Sequence, residues 1–528
     1  LKIVHGEPPP ARDRAARVCL YAAWAAFTLY LVLGHVFWRD EVRALTIALD
    51  GDTIPAMLRG LHGEGHPAIW YLLLRGAHAV LPVREVLPVV AFLVSAAATA
   101  LFVFRSPFRP AVIALVLATG FALYEYPVVA RNYGIAMLGL FALAFLYPRY
   151  RDRGIGLGIL LALLCNTNVP AALLAASFLL FWLVELVCEE GLSWNRKYGL
   201  FLVNAGLAAL GALLCFVTVF PTVHDAAPIQ LAGGIGIGTI VRAILDPASS
   251  FSDLMPPAVR GNVPIALLFD LIVFGSLLGL VRAPAALLSG LAALIGFELF
   301  FHLIYPGYYR HVCLFLVFLI TLYWLVANGR GGCWRGAIRP PGARDRLVEI
   351  GASLFLLLIA IQVLVGAGRI VAGFRGEPFS RSRDLAAILR REHLDQAVVI
   401  GDPDMFLEAL PYYASNPLYL MREQRFGRFV RFTRHVRIDL DLGDYLRDAR
   451  ILEARMHRPV VILLRARIDP GTRPFHLHEA RIWSFSASSE QIARFLAGTR
   501  RIARFGHAVT DESYDVYVLK EPASAPHP

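Results

Sequence analysis

A succession of apolar runs, each about 18–22 residues long and bounded by basic residues, has the length and flanks of helices that cross a bilayer. With 57% hydrophobic and 17% charged residues over 528 positions, the chain is too apolar to fold as a soluble protein. Its net charge of +11 is carried by arginines at span ends and in the last third of the sequence. That placement fits topology signals and anionic headgroups, and excludes nucleic acid as a partner. The six cysteines are scattered and show neither a disulfide framework nor a metal-binding spacing. The first apolar run lacks a small-residue cleavage site and reads as a retained span.

The pattern predicts about eleven spans, near 18–37, 86–104, 110–127, 132–148, 154–166, 169–187, 198–220, 263–281, 284–304, 309–327 and 347–368. Residues 1–17, rich in Pro and Arg, read as a disordered cytoplasmic N-terminus. The 67–82 run is short and carries Arg75 and His78. It reads as an interfacial helix, because only then do Arg105/Arg109 and the Arg149–Arg153 cluster join the N-terminus on the cytoplasmic side. Asn195–Lys197, Arg282 and the Arg330–Arg346 loop then fall there too. The opposite side collects external loops 38–85 and 221–262, the Tyr124–Tyr133 turn, the Asn166–Asn168 turn and the IYPGYYRH turn at 304–311.

The transmembrane region, 18–368, is followed at 369–528 by strand–helix alternation, which implies an extracytoplasmic α/β domain. Strands are expected at 397–402, 459–466 and 513–521, and helices at 385–391, 407–415, 443–456 and 488–498. None of the turns is a Gly-rich nucleotide fingerprint, GDPDM after the strand at 397 being a weak loop signal only.

Acids at the mouth of a membrane helix are costly unless used, and Asp40-Glu41 follow the first span directly. A carboxylate there has the chemistry to accept a proton from an attacking hydroxyl, which assigns Asp40 as base and Glu41 as a sugar-binding or orienting group. With no second carboxylate placed as nucleophile, direct displacement with inversion is expected. A departing phosphate needs donors, and His66, Arg131, Tyr308, Tyr309, Arg310 and His311 are the external candidates. Tyr71 and Tyr133 are expected to line the pocket. Arg43, Glu125 and His302 are secondary candidates, Glu125 as a partner for an arginine and His302 as a buried, hydrogen-bonded residue.

These residues carry a resemblance. Asp40-Glu41 after the first span, Gly65-His66-Pro67 with Trp70-Tyr71, and Ala130-Arg131-Asn132-Tyr133 resemble motifs of the polytopic GT-C glycosyltransferases. The likeness is to the bacterial branch related to protein O-mannosyltransferases and lipid A aminoarabinose transferases, and covers about residues 18–330. It implies a GT-C fold and transfer of a hexose or pentose from a polyprenyl-phosphate donor to a periplasmic glycan, lipid or protein. It also implies a multi-pass protein of a bacterial inner membrane, with the N-terminus cytoplasmic and the C-terminal domain periplasmic. By the same resemblance Asp40 is the base or acceptor-orienting acid, His66 lies near the donor phosphate, and Arg131 and Tyr133 match a Glu-Ala-Arg-x-Tyr pattern. Val129 stands where that pattern has glutamate. The departure passes the acid's role to Glu125 or removes it, and counts against a metal-assisted mechanism. No cofactor is called for, although the carboxylate pair leaves Mg or Mn open. Two other readings remain: a glycolipid transporter or flippase, which needs discontinuous helices in paired halves, and a non-catalytic lipid-binding scaffold.

Overall fold

The computed structural model describes residues 11–61, 64–220, 237–332, 341–433, 435–479 and 483–520. The membrane part contains α1 (Ala11–Gly34), α2 (Arg39–Ala48), α3 (Ile54–Arg59), α4 (Ile69–Val80), α5 (Val86–Arg105), α6 (Pro110–Leu117), α7 (Tyr133–Tyr150) and α8 (Gly156–Cys165). It continues with α9 (Val169–Glu190), α10 (Arg196–Val219), α11 (Ile237–Leu245), α12 (Pro247–Ser250), α13 (Val263–Leu277), α14 (Pro284–Leu303), α15 (Tyr309–Ala327) and α16 (Pro341–Phe374). Among the described residues nine helices are long and apolar enough to cross a membrane: α1, α5, α7, α9, α10, α13 with its extension to Leu280, α14, α15 and α16. Helix α15 is apolar almost all round and is the most deeply buried, which makes it the centre of the bundle.

Eleven spans were expected, and two of them are shorter than a crossing needs. The 110–127 run splits into the eight residues of α6 and a π-helical turn at Phe121–Glu125. The break lies where Gly120 meets Gly366 of α16 so closely that a side chain on either would overlap the other's backbone. The 154–166 run yields only the ten residues of α8. Helix α4 has twelve residues, also too few to cross alone. Helix α1 begins at Ala11, inside the stretch expected to be disordered. Arg17, expected at a solvated end, is buried and donates to the carbonyls of Val103, Ser106 and Phe108, which satisfies three orphan acceptors around the end of α5. Residues 1–10, 221–236 and 333–340, which include parts of the expected N-terminal tail, external loop and basic loop, lie outside the described residues.

The basic loops gather at one end of the bundle. Arg151 of the α7–α8 turn pairs with Glu185 and Glu189 at 2.6 Å, Arg330 donates to the Pro148 carbonyl, and Lys197 pairs with Glu190. Glu185 is buried yet satisfied, accepting from the Tyr147 hydroxyl, Arg151 and the Gly331 amide, each at 2.6 Å. Cys188, at this same end, is disulfide-bonded, which the scattered cysteine spacing did not predict.

After α16 the chain forms a domain with two sheets. One is four-stranded, with order β1 (Val398–Asp402), β5 (Val460–Leu464), β9 (Asp515–Leu519), β8 (Thr499–Arg504). Strands β1 and β5 run parallel, with Val398 opposite Val460, and β9 pairs antiparallel on both its edges. The other has the order β4 (Asp439–Asp441), β7 (Trp483–Ala487), β6 (Phe475–Glu479), and β2 (Tyr419–Leu420) with β3 (Arg425–Phe426) makes a hairpin. Helices α17 (Ser382–Arg391), α18 (Leu442–Met456) and α19 (Ser489–Gly498) pack around them. The helix expected at 407–415 is instead two short 3-10 turns, since Pro411 lacks the amide that a continuous helix would use. The GDPDM loop is structural. Asp402 forms a fully buried pair with Arg422 at 2.9 Å, and Asp404 accepts the amides of Met421 and Arg422. The domain is fused to the membrane part through one apolar core shared by Phe37, Val42, Leu45, Trp70 and Tyr71 with Ala409, Tyr412 and Phe429.

Candidate active site

Two adjacent acids at the start of α2 have different surroundings. Glu41 is wholly buried. Its carboxylate accepts the Trp38 amide at 3.1 Å and the Ala130 amide at 2.7 Å, and meets His35 Nε2 at 3.0 Å. This caps the helix and ties the exit of α1 to the 126–132 turn. The side chain of Asp40 is about one-third exposed. Its carboxylate lies 3.8 Å from Arg131 and 3.9 Å from Arg39, with no closer donor among the described residues. Burial alone pushes the Asp40 carboxyl upward, but Arg131, then Arg39, Arg310 and Arg43, outweigh it and hold it below the usual carboxylate range. Asp40 is therefore ionised and within reach of solvent.

Arg131 sits at the focus of the cluster. Its guanidinium donates to the Asp40 carbonyl at 2.6 Å and to Nε2 of His66. Asn132, next in sequence, brings its amide to 3.4 Å from His66 Nδ1. Burial, and after it the charge of Arg131, keep His66 well below the ordinary histidine range, so it is neutral. The positive charge facing Asp40 is carried by arginines. Tyr133 meets His311 edge-on at 5.3 Å, and His311 Nδ1 accepts the Tyr308 amide at 3.1 Å. Arg310 lies over the Trp38 ring at 5.1 Å. Tyr71 is buried beneath the cluster, and its burial raises the phenol, as do Glu64 and Asp40. Tyr305, which sequence reading did not single out, stands half-exposed beside His311 at 5.5 Å. Only its place in the 304–311 turn hinted at it.

The structure thus brings together Asp40, His66, Tyr71, Arg131, Tyr133, Tyr308, Arg310 and His311, drawn from four separated stretches. Glu125 lies behind Arg310, between it and Arg369. Val129 is buried among Leu31, Trp38 and Phe379, with no room for a solvated carboxylate. His302, expected to be buried, is exposed at the end of α14 and makes no hydrogen bond or ring contact with the cluster among the described residues. It sits in the last turn of α14, off the face that packs into the bundle.

Arg43 adds to the positive field on Asp40, but its donors are taken up by structure. It donates to Glu64 at 2.9 Å, to Glu408 at 2.6 Å and to the Val430 carbonyl at 2.8 Å. Arg39 holds Asp511 at 2.6 Å through its side chain, and its amide donates to Glu512 at 2.8 Å. The C-terminal domain therefore grips α2 on both sides of Asp40.

Among the described residues no three His, Cys, Asp or Glu side chains assemble as a divalent ion would need. Two arginines within 4 Å of the Asp40 carboxylate also oppose a cation there. The described residues of this cluster do not fit a metal ion.

No protein-family model matches the chain, and no curated protein matches it. The chain is similar to one form of the arabinofuranosyltransferase AftD from mycobacteria, solved by cryo-electron microscopy, at 12% identity and a TM-score of 0.37. The alignment covers 98% of this chain and 42% of that one, so the chain spans less than half the length of its match. A likeness at that level adds nothing to the site argued from geometry.

Proposed function

We propose that the protein is an inverting glycosyltransferase that takes a sugar from a polyprenyl-phosphate donor and passes it to an acceptor outside the cytoplasm. The observation that carries this reading is a solvent-accessible Asp40 carboxylate 3.8 Å from Arg131, whose charge with that of Arg39 and Arg310 holds the carboxyl below its usual range, beside a His66 that burial holds below the ordinary histidine range. The acceptor oxygen attacks the anomeric carbon, and the bond from that carbon to the phosphate oxygen breaks, its electron pair leaving with the phosphate. The acceptor's proton passes to Asp40. Arg131 and Arg310 face the charge that accumulates on the leaving group. His66, neutral in their presence, is an acceptor for Arg131 and keeps the guanidinium in place. An arriving phosphate would favour its protonated form.

The cluster lies at the end of the bundle opposite the basic loops, which supports an outward-facing site. The disulfide at Cys188 argues the other way, because the cytoplasm reduces such bonds. Several independent basic loops support an outward site against that one bond, and the outward placement is part of the proposal. Asp40→Asn removes the base and leaves the arginines in place. It is expected to lose more than about 100-fold in turnover while binding a polyprenyl-phosphate sugar as the parent does. The assay follows release of polyprenyl phosphate by the purified protein, and undiminished transfer by the variant would refute the assignment.

A further inference from the structure

We propose that a second, cationic cavity on the far side of α2 binds a phosphate-bearing group. The cavity, about 450 Å³ in volume, lies between α2 and the C-terminal domain. Arg84, Arg425, Arg428 and Arg431 line it, against a single acid, Asp50. That volume is in the range of small-molecule sites.

The four arginines are not equally engaged. Arg84 pairs with Glu85 at 3.1 Å and lies over the Tyr412 ring at 5.1 Å. Arg425 pairs with Glu423 at 2.6 Å. Arg428 and Arg431 are exposed, and neither guanidinium has an acid partner among the described residues; Arg431 uses only its amide, on Glu423. Arg84 and Arg425 are offset by their glutamates, so the unbalanced positive charge at the cavity is that of Arg428 and Arg431, which an anion entering it would neutralise. Guanidinium groups suit phosphate because they donate in pairs. Tyr412, Phe426 and Phe429 add aromatic faces to the same walls, which suits a phosphate carried on a sugar ring.

The cavity is also coupled to the first site by a shared element. Val42, Leu45 and Leu49 line it, on or just after the helix that begins beside Asp40. At 1.5 Å per residue these positions lie roughly 3–14 Å along the axis from Asp40. That separation fits a subsite for a phosphate on the acceptor. Assigning the group to the acceptor rests on transfer at Asp40, whereas binding in the cavity does not.

The test uses the full chain in phosphatidylcholine nanodiscs, titrated with glucose 1-phosphate and, as a neutral control, glucose. Glucose 1-phosphate is expected to bind and glucose to bind at least about tenfold more weakly. The Arg428→Ala/Arg431→Ala double variant is expected to lose about tenfold in affinity or more, since a charge-assisted contact is removed at each position. Arg428→Lys/Arg431→Lys, which keeps the charge, should recover part of it, and a melting temperature equal to the parent's confirms that the variants fold. Asp40→Asn should bind like the parent, so failure of the transfer reading leaves this result intact. In discs containing phosphatidylglycerol, loss of glucose 1-phosphate binding assigns the cavity to a lipid headgroup phosphate, and unchanged binding to a soluble phosphosugar. Equal binding of glucose, or unaltered affinity in the double alanine variant, would overturn the proposal.

Discussion

At the scale of single residues, adjacent carboxylates divide the work of the Asp40 cluster. Glu41 is held by two backbone amides and a histidine, all buried, while Asp40 meets only arginines at ion-pair distance. Replacing Glu41 by alanine strands two buried N–H groups, each costing about 1–3 kcal/mol. Glu41→Ala is therefore expected to lower the melting temperature sharply, and Asp40→Asn to leave it near the parent's. Thermal unfolding of the two variants in the same detergent checks this, and equal melting temperatures would sink the distinction. The sequence put both acids at the right place beside the first span and had no means of telling them apart. Which one is used up in capping depends on where the Ala130 amide lies, and that is fixed by packing between α1, α2 and the turn before α7.

At the scale of elements, α2 is positioned by two clamps from the C-terminal domain. Burial pushes Glu408 up to about 7 against the opposing charge of Arg43, and Glu512 up to about 7 against Arg39. Both values stand above the ordinary glutamate value of about 4.3. The folded state therefore holds more protons than the unfolded state between those limits. Its stability is greatest at the acid end of that window and falls as the pH rises through the folded value. The melting temperature should climb as the pH is lowered from about 8 to about 5, and Glu408→Gln should flatten that slope. A slope unchanged in the variant would show that Glu408 does not titrate there. Periodicity marked 443–456 and 488–498 as helices correctly, since both are amphipathic and α19 begins at Ser488, which caps it. It missed β6, β7 and β8 and the partners of Arg43, because strand pairing and a contact 365 residues away leave no local trace.

For the whole molecule, the charge distribution makes the orientation testable. If the basic end is cytoplasmic, Arg59, exposed near the Asp40 end, faces outward, and Arg153, exposed at the basic end, faces inward. Cysteines introduced as Arg59→Cys and Arg153→Cys should respectively accept and refuse an impermeant maleimide in intact cells, with the parent as background. The reverse pattern would put the Asp40 cluster in the cytoplasm and remove the proposed donor. The same bundle geometry explains why the residues of the cluster come from four stretches. The entrances of α2, α7 and α15 and the turn before α4 all lie at one end of alternating antiparallel helices.

Hydropathy adds up residue by residue along the chain, so the sequence alone determined that long apolar helices dominate, where most of them begin and end, and that their basic caps share a side. Tertiary structure decided the rest. The close approach of Gly120 to Gly366 breaks one expected span, and burial with two amides turns Glu41 into a cap while Asp40 stays accessible. Capture by Glu408 removes Arg43 from the cluster. These outcomes depend on which groups meet across separations of up to hundreds of residues, and desolvation and charge pairing act only between groups that have met.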